Sequence, residues 1–355
     1  METITHWFKR QLSNPQIVFL TTVLVVVLLV VTYAGDMLTP VIAGIVIAYL
    51  LEGIIKKMTL IKIPRVVAIW LVLLLFVLFL LGFIFGLLPV LYNQLSDFVR
   101  QIPSMLTKGQ SVLLELPQRY PELFSIDQVE EMIGSVRDQI THFSQAVLTN
   151  TISGAANLIT VLIYLVLLPI LVFFFLKDKQ RIIDWFKHFL PKHNQLAVTV
   201  WGEVDQQIAN YVRGKVWEIT IVGVCSFLAF SFLGLQYSIL LSVLVGLSVL
   251  IPYVGAAIVT IPVLMVAWFQ WGWSNDFITL SVVYFIIQAL DGNLLVPLLF
   301  SEVVNIHPVA IIVAVLFFGG LWGVWGVFFA IPLATLVQSI IVAWPASLPS
   351  AGGPD

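Results

Sequence analysis

The sequence predicts an all-α polytopic membrane protein. It has about eight membrane-embedded helical segments, two of them interrupted, and one small helical extramembrane insertion. Three observations carry that prediction. Hydrophobic residues make up 60% of the 355 residues and charged residues only 10%, with a mean hydropathy of +1.04, whereas a soluble domain carries roughly 25% charged residues. Apolar runs of spanning length recur along the chain. In the last third, two apolar stretches are broken by proline and glycine.

A helix needs about 20 apolar residues to cross a hydrocarbon core of about 30 Å. Residues 17–34 form the first such run, too long for the apolar part of a signal peptide and followed by no small-residue cleavage site, so they read as a retained helix. The next are 38–55 and 66–91, which complete an N-terminal membrane unit over 1–91. Residues 92–150 differ in character: they hold Pro103, Pro117, Pro121 and seven acidic residues, and read as a small extramembrane helical domain. Within it, Val129, Ile133, Val136, Ile140, Phe143 and Val147 alternate in steps of four and three, the spacing of one helix face with a coiled-coil-like seam. Ser125 with Gln128 makes a capping box at its start. The seam fits either a small local core or a contact between copies of the chain.

The fourth membrane helix is 155–176, in a unit 151–176 where Asn157 and Tyr164 are ordinary interior polar residues. Residues 177–215 carry interfacial helices, with Ile183, Phe186 and Leu190 on one face. Beyond Pro191, Leu196, Val200, Val204, Ile208, Tyr211 and Val212 form another face that runs into the fifth membrane helix, 216–234. The basic residues set an orientation. Two lie at Lys9 and Arg10, four at Lys56, Lys57, Lys62 and Arg65, and seven in 177–215, so thirteen of the seventeen fall on one side if 92–150 is outside. The N-terminus is then cytoplasmic. Glu52, at the end of the second helix, reads as an interface residue snorkelling beside Lys56.

The membrane core continues over 216–345, before a tail at 346–355. Residues 238–271 are interrupted by Ile251-Pro252-Tyr253-Val254-Gly255. The arms, 238–250 and 256–271, reach only ~20–24 Å each at 1.5 Å per residue, which suggests a re-entrant hairpin with Pro252 and Gly255 at its tip. Residues 308–343 are interrupted in the same way by Gly319, Gly320, Gly323 and Gly326. Paired interrupted segments are the sequence pointer to a transporter's binding site. The alternative for each is glycine-mediated close packing of ordinary helices.

Between the breaks, 277–300 is long enough to span but carries Gln288, Asp291 and Asn293. Asp291 lies fourteen residues into that run, and a charge near the bilayer centre costs at least ~2.5–3.5 kcal/mol. Gln288 and Asp291 share a helix face. Asp291 is therefore a candidate for taking up a proton or cation, against a structural hydrogen bond or a solvated loop. Glu302 and His307 are weaker candidates, since a short connection facing water accounts for them, and His307 before Pro308 suits the start of a helix. Glu218 and the preceding Gln207, Asn210 and Lys215 either line a cytoplasmic mouth or belong to a solvated helix face.

Several chemistries have no sign in the sequence. The P-loop, HExxH and GxSxG patterns are missing, and the single cysteine, Cys225, offers neither a disulfide framework nor a metal pair. A net charge of −2 gives no pointer to nucleic acid. The expectation is a protein that is not an enzyme, with no cofactor and no metal site, whose partners are the lipid bilayer and a small-molecule or ion substrate.

Six runs together resemble the autoinducer-2 exporter family over essentially the full length: LTPVIAGIVIAYLLEG at 38–53, PILVFFFLKDK at 169–179, QQIANYVRGK at 206–215, IPYVGAAIVTIPV at 251–263, QALDGNLLVPLLFSEVVNIHP at 288–308 and FFGGLWGVWGVFFAIPLATL at 317–336. The resemblance implies a secondary carrier in a bacterial cytoplasmic (inner) membrane, with a periplasmic insertion at 92–150 and a homo-oligomeric, pentameric assembly. It also implies an acid at position 291, often Glu in the family. Members have been linked to export of the signalling molecule autoinducer-2 and to exchange of sodium or lithium for protons. The expected function is a secondary transporter whose path is lined by Gln288, Asp291, Asn293, Pro252, Gly255, Gly319, Gly320 and Gly323. The rivals are an oligomeric passive channel and a membrane scaffold acting through 92–150.

Overall fold

The computed structural model describes residues 15–114, 134, 154–188, 195–300 and 307–346. Apart from residue 134, the seam helix expected from Asp127 to Val147, with its capping box at Ser125 and Gln128, falls outside them, as does Glu302. Every regular element among the described residues is a helix. Six of these helices are long and apolar enough to cross a membrane: Met37–Leu60, Arg65–Gln110, Gln207–Phe232, Val254–Trp271, Asn275–Phe300 and Pro308–Phe328.

The chain opens with α1, Pro15–Leu60, one helix of 46 residues. The sequence predicts two helices here, 17–34 and 38–55. Gly35-Asp36 is too brief an interruption to end a helix, and Pro40 removes a single backbone donor. A membrane helix tolerates one such loss; the Thr39 hydroxyl bonds the neighbouring Gly35 carbonyl at 3.3 Å, not the Asp36 carbonyl that Pro40 leaves without its donor.

Next come α2, Arg65–Gly82, a π-helical turn at Phe83–Leu87, and α3, Leu88–Leu114. The helix thus runs straight past the expected boundary at 92. α4 is Gly154–Lys177 and α5 is Lys179–Lys187. Glu52 is buried, and its partner is Arg65, not Lys56 as the spacing suggested. The guanidinium donates to both carboxylate oxygens at 2.9 and 3.0 Å and to the Leu176 carbonyl at 3.2 Å. One side chain therefore clips the ends of α1, α2 and α4 together. Ile55, Ala68, Ile69, Val72 and Val172 pack beneath it.

α6, Gln195–Phe232, is a continuous helix of 38 residues, in which the expected interfacial segment runs without a break into the membrane helix. α7, Ser238–Ser248, returns along it. Backbones touch at that crossing: a Cβ on Gly246 would lie 2.9 Å from the Ile219 carbonyl and 3.1 Å from the Cα of Gly223. Gln94 of α3 accepts the Leu240 amide at 2.8 Å, serving one of the orphan donors in the first turn of α7. α8, Val254–Trp271, follows after a tight turn.

That turn reverses the chain. A Cβ on Gly255 would fall 1.8 Å from the Ser248 carbonyl oxygen, a closeness impossible between residues seven apart in one helix. Pro252 lies in the turn and Tyr253 takes a positive φ of 62°. The second interrupted segment reverses too. α11, Pro308–Phe328, is broken at Gly323 (φ 58°, ψ −135°), and a Cβ on Gly326 would fall 1.8 Å from the Phe318 carbonyl oxygen. The chain continues as α12, Ala330–Ala346. Gly319 and Gly320 stay helical, so the break is confined to one glycine instead of spreading over four.

Between the two reversals lie α9, Asn275–Leu290, a second π-helical turn, Asp291–Leu295, and α10, Val296–Phe300. Both π-helical turns precede a proline, Pro89 in the first case and Pro297 in the second. A proline ring clashes with the carbonyl four residues back in a regular helix. The widened turn moves that carbonyl aside, and the amides of Leu88 and Val296 bond five residues back to Phe83 and Asp291.

Candidate functional site: a charged cavity at the first helix reversal

A cavity of about 600 Å³ lies where α6, the α7–α8 turn and the π-helical turn of Asp291 converge. From α6 it takes Tyr211, Lys215 and Glu218. From the turn it takes Ile251, Pro252 and Tyr253. The α9–α10 segment adds Gln288, Asp291, Gly292 and Phe300, and Ile311 and Ile331 close the wall.

Its charges are three. Lys215 and Glu218, one helical turn apart, form an ion pair of 2.7 Å with side chains only 4% and 3% exposed. The Lys215 ammonium also lies 5.4 Å from the centre of the Phe300 ring, within reach of a cation–π contact. Asp291 stands close enough to feel the charges of Lys215 and Glu218. Its Oδ1 is buried without a hydrogen-bond partner. Lys215 and Glu218 cancel, which leaves the cavity one formal negative charge, on Asp291. A buried carboxylate oxygen with no donor is costly, so the site has an unmet demand for a proton, a cation or a donor group.

The π-helical turn explains how Asp291 comes to be there. π turns inside α-helices occur frequently at functional sites, and Asp291 is the first residue of this one. Gln288 lies on the cavity wall as its spacing predicted. Its amide donates to the Tyr284 hydroxyl at 3.0 Å, and Tyr284 shares a 2.9 Å hydrogen bond with Thr260 of α8. That chain ties the Asp291 segment to the first hairpin.

The other residues singled out from sequence are dispersed. Pro252 lines the cavity, and Gly255 sits behind it against Ser248. Asn293 is exposed and donates to the Ala289 carbonyl. Gly319 packs on Val327, Gly320 meets nothing, and Gly323 forms the second reversal. None of these three glycines reaches the cavity. His307 caps α11, its Nδ1 accepting the Val309 amide at 3.2 Å. Among the described residues no cluster of three or more His, Cys, Asp or Glu is placed to hold a metal ion.

Sequence reasoning offered Lys215 only for a cytoplasmic mouth and placed Tyr211 on an interfacial helix face, not in the Asp291 site. Both had a signal: Lys215 is the last Lys or Arg of the sequence, three positions before an acid in an apolar helix, and Tyr211 is one turn earlier. Pro297, six residues after Asp291, was the signal for the π turn.

Apolar helices of spanning length, two chain reversals among them and a buried charged cavity beside one define a multi-pass membrane protein built for transport. The comparison with known proteins agrees. Residues 19–346 match the AI-2E family transporter description, and the chain belongs to that family. It is 45% identical over 345 residues, 97% of this chain and 98% of the relative, to an Escherichia coli K12 protein named as a permease, PerM. It is 27% identical over 307 residues, 85% of each chain, to a Bacillus subtilis protein named as a transport protein, YrrI. To the AI-2 transport protein TqsA of Escherichia coli K12 it is 23% identical over 331 residues, 92% of each chain.

Proposed function

We propose that this chain is a secondary transporter that uses the cavity between α6, the first hairpin and the Asp291 turn, with Asp291 as the group that binds the coupling ion or the solute. The cargo is a small polar solute, as the name of TqsA suggests for that relative, or a cation exchanged for protons. One observation carries the reading: the cavity's uncompensated carboxylate has a buried oxygen with no partner. A structural hydrogen bond would have supplied one. Alternating access fits a site beside a helix reversal, where backbone groups freed from the helix face the solute.

The basic residues orient this reading. The Arg65 contact with the Leu176 carbonyl puts the cluster at 56–65 and the one following Lys177 at the same end of the bundle. By the positive-inside rule that end faces the cytoplasm of an inner membrane, and residues 92–150 then lead to the periplasmic side. A homo-oligomer would cover part of the apolar outer surface, where Leu74, Leu75, Phe79 and Phe85 are exposed.

The experiment is flux in proteoliposomes loaded with a pH-sensitive dye, with sodium, lithium and autoinducer-2 offered in turn, with and without a pH gradient. Asp291→Asn abolishes the coupled flux while the protein remains monodisperse. Unchanged flux in that variant removes Asp291 from the mechanism.

A further inference from the structure

Two polar atoms of α6, one on a residue of the cavity wall and one a turn beyond it, have no partner. The Tyr211 hydroxyl and the Gln207 Oε1 are both buried and both without a hydrogen-bond partner. They are four residues apart on α6, hence on one face, and the same face continues to Lys215. Native proteins keep few buried polar atoms unpaired, and those that persist mark water or a ligand. Two such atoms one turn apart, in line with a charged cavity, trace a polar track along α6.

The track is closed between Gln207 and the cavity. Tyr211 is 1% exposed. Its ring lies 5.7 Å from Phe300 and 6.0 Å from Phe328. The three rings come from three elements: α6, the end of the segment that carries Asp291, and the second hairpin just past its Gly323 reversal. Phe300 rests on Gly214, where a Cβ would come within 2.8 Å of the ring, so glycine is what lets the ring sit down on α6. The other side of the cavity is open, with Tyr253 at the hairpin tip 62% exposed and Gly292, Pro297 and Pro308 also exposed.

We propose that Gln207 marks a second polar station of the translocation path, for water and small hydrated solutes, with Tyr211 between it and the Asp291 cavity, and that the rings of Tyr211, Phe300 and Phe328 seal the station from the cavity in this conformation. The second hairpin then has a task that the cavity alone does not give it. It holds Phe328 against Tyr211, and movement about Gly323 would withdraw it. The proposal rests on the transporter reading only in taking the cavity as part of the path.

The test needs no substrate. In the full chain with Cys225→Ser, Gly292→Cys puts a thiol on the cavity wall, where an added side chain meets nothing within 4 Å. A charged, membrane-impermeant methanethiosulfonate is applied to right-side-out and to inverted vesicles. With the rings intact, labelling occurs from one face and stays at background from the other. Adding Phe328→Ala raises labelling from the second face to a rate comparable with the first, whereas adding Tyr211→Phe, which keeps the ring, leaves it one-sided. Phe300→Leu and Phe328→Leu carry the same test if the alanine variant does not fold. Labelling from both faces or from neither face with the rings intact overturns the proposal, as does one-sided labelling after the rings are cut back. Two-sided labelling on ring removal together with normal flux in Asp291→Asn would keep the path and sink the coupling role, so the two readings fail separately.

Discussion

Replacing the lysine of the cavity, Lys215→Met, probes the electrostatics on which the site depends. At 2.7 Å and an effective dielectric of about 20, the gross attraction between Lys215 and Glu218 is about 6 kcal/mol. Much of it offsets the desolvation of two nearly inaccessible groups, so the pair contributes little net stability compared with two apolar side chains. Deleting one partner is a different matter. Methionine keeps the stem of Lys215 against Phe300, but Glu218 loses its 2.7 Å hydrogen bond and is left beside Asp291 without the lysine's charge. The expected loss is about 3–5 kcal/mol, read as unfolding free energy in micelles or bicelles. Glu218→Gln costs less than Lys215→Met, because the lysine keeps Asp291 as a neighbouring anion. The double variant Lys215→Met/Glu218→Leu recovers most of the loss, since both desolvated charges are gone. A loss below about 1 kcal/mol for Lys215→Met, the scale of exposed pairs, would show that water fills the cavity and screens the pair, and the account of Asp291 as an unmet buried charge would fall with it.

Two further outcomes follow from the packing. Gly255→Ala and Gly326→Ala each drive a Cβ to 1.8 Å from a backbone carbonyl oxygen, which cannot yield as a side chain would. Both lose folded protein in size-exclusion chromatography, whereas Gly320→Ala, helical and open, keeps it and gains about 0.5–1 kcal/mol; equal recovery of all three would mean the chain does not reverse at these points. Arg65→Lys keeps the charge near Glu52 but loses the two-pronged geometry and the Leu176 carbonyl bond. With the Arg65 side chain 43% exposed, the cost is only about 1 kcal/mol, and a lysine variant as stable as the parent would show that the clip contributes charge alone.

The class of protein and the segments that form the candidate cavity were legible in the chain because both are local properties. Composition and run length set the solvent to lipid, and Pro252 and Gly323 mark reversals because proline withholds a donor and glycine alone accepts that backbone conformation readily. Asp291 stands out since a carboxylate in an apolar run is costly wherever the run ends up. The continuous α6 was readable from its periodicity across 196–212. Where interruption was weak, local reading divided too readily: Gly35-Asp36 breaks the hydropathy of α1 but not its hydrogen bonding.

What no local rule supplied was the company each residue keeps. Glu52 has Lys56 one turn away along its own helix, yet a guanidinium from α2 satisfies both of its oxygens. Lys215 read as a mouth or a solvated face and Tyr211 as an interfacial one, until Phe300 of α10 packs on both and Phe328 of α11 on Tyr211. Gly319, Gly320 and Gly323 looked like a second half of the Asp291 site, but none of them lines its cavity. Apolar pattern, breakers and stray charges are written residue by residue, and the sequence by itself determined them. Which buried charge meets which partner, and which ring closes which path, depends on distances between segments far apart in the chain, and only packing in three dimensions decides those.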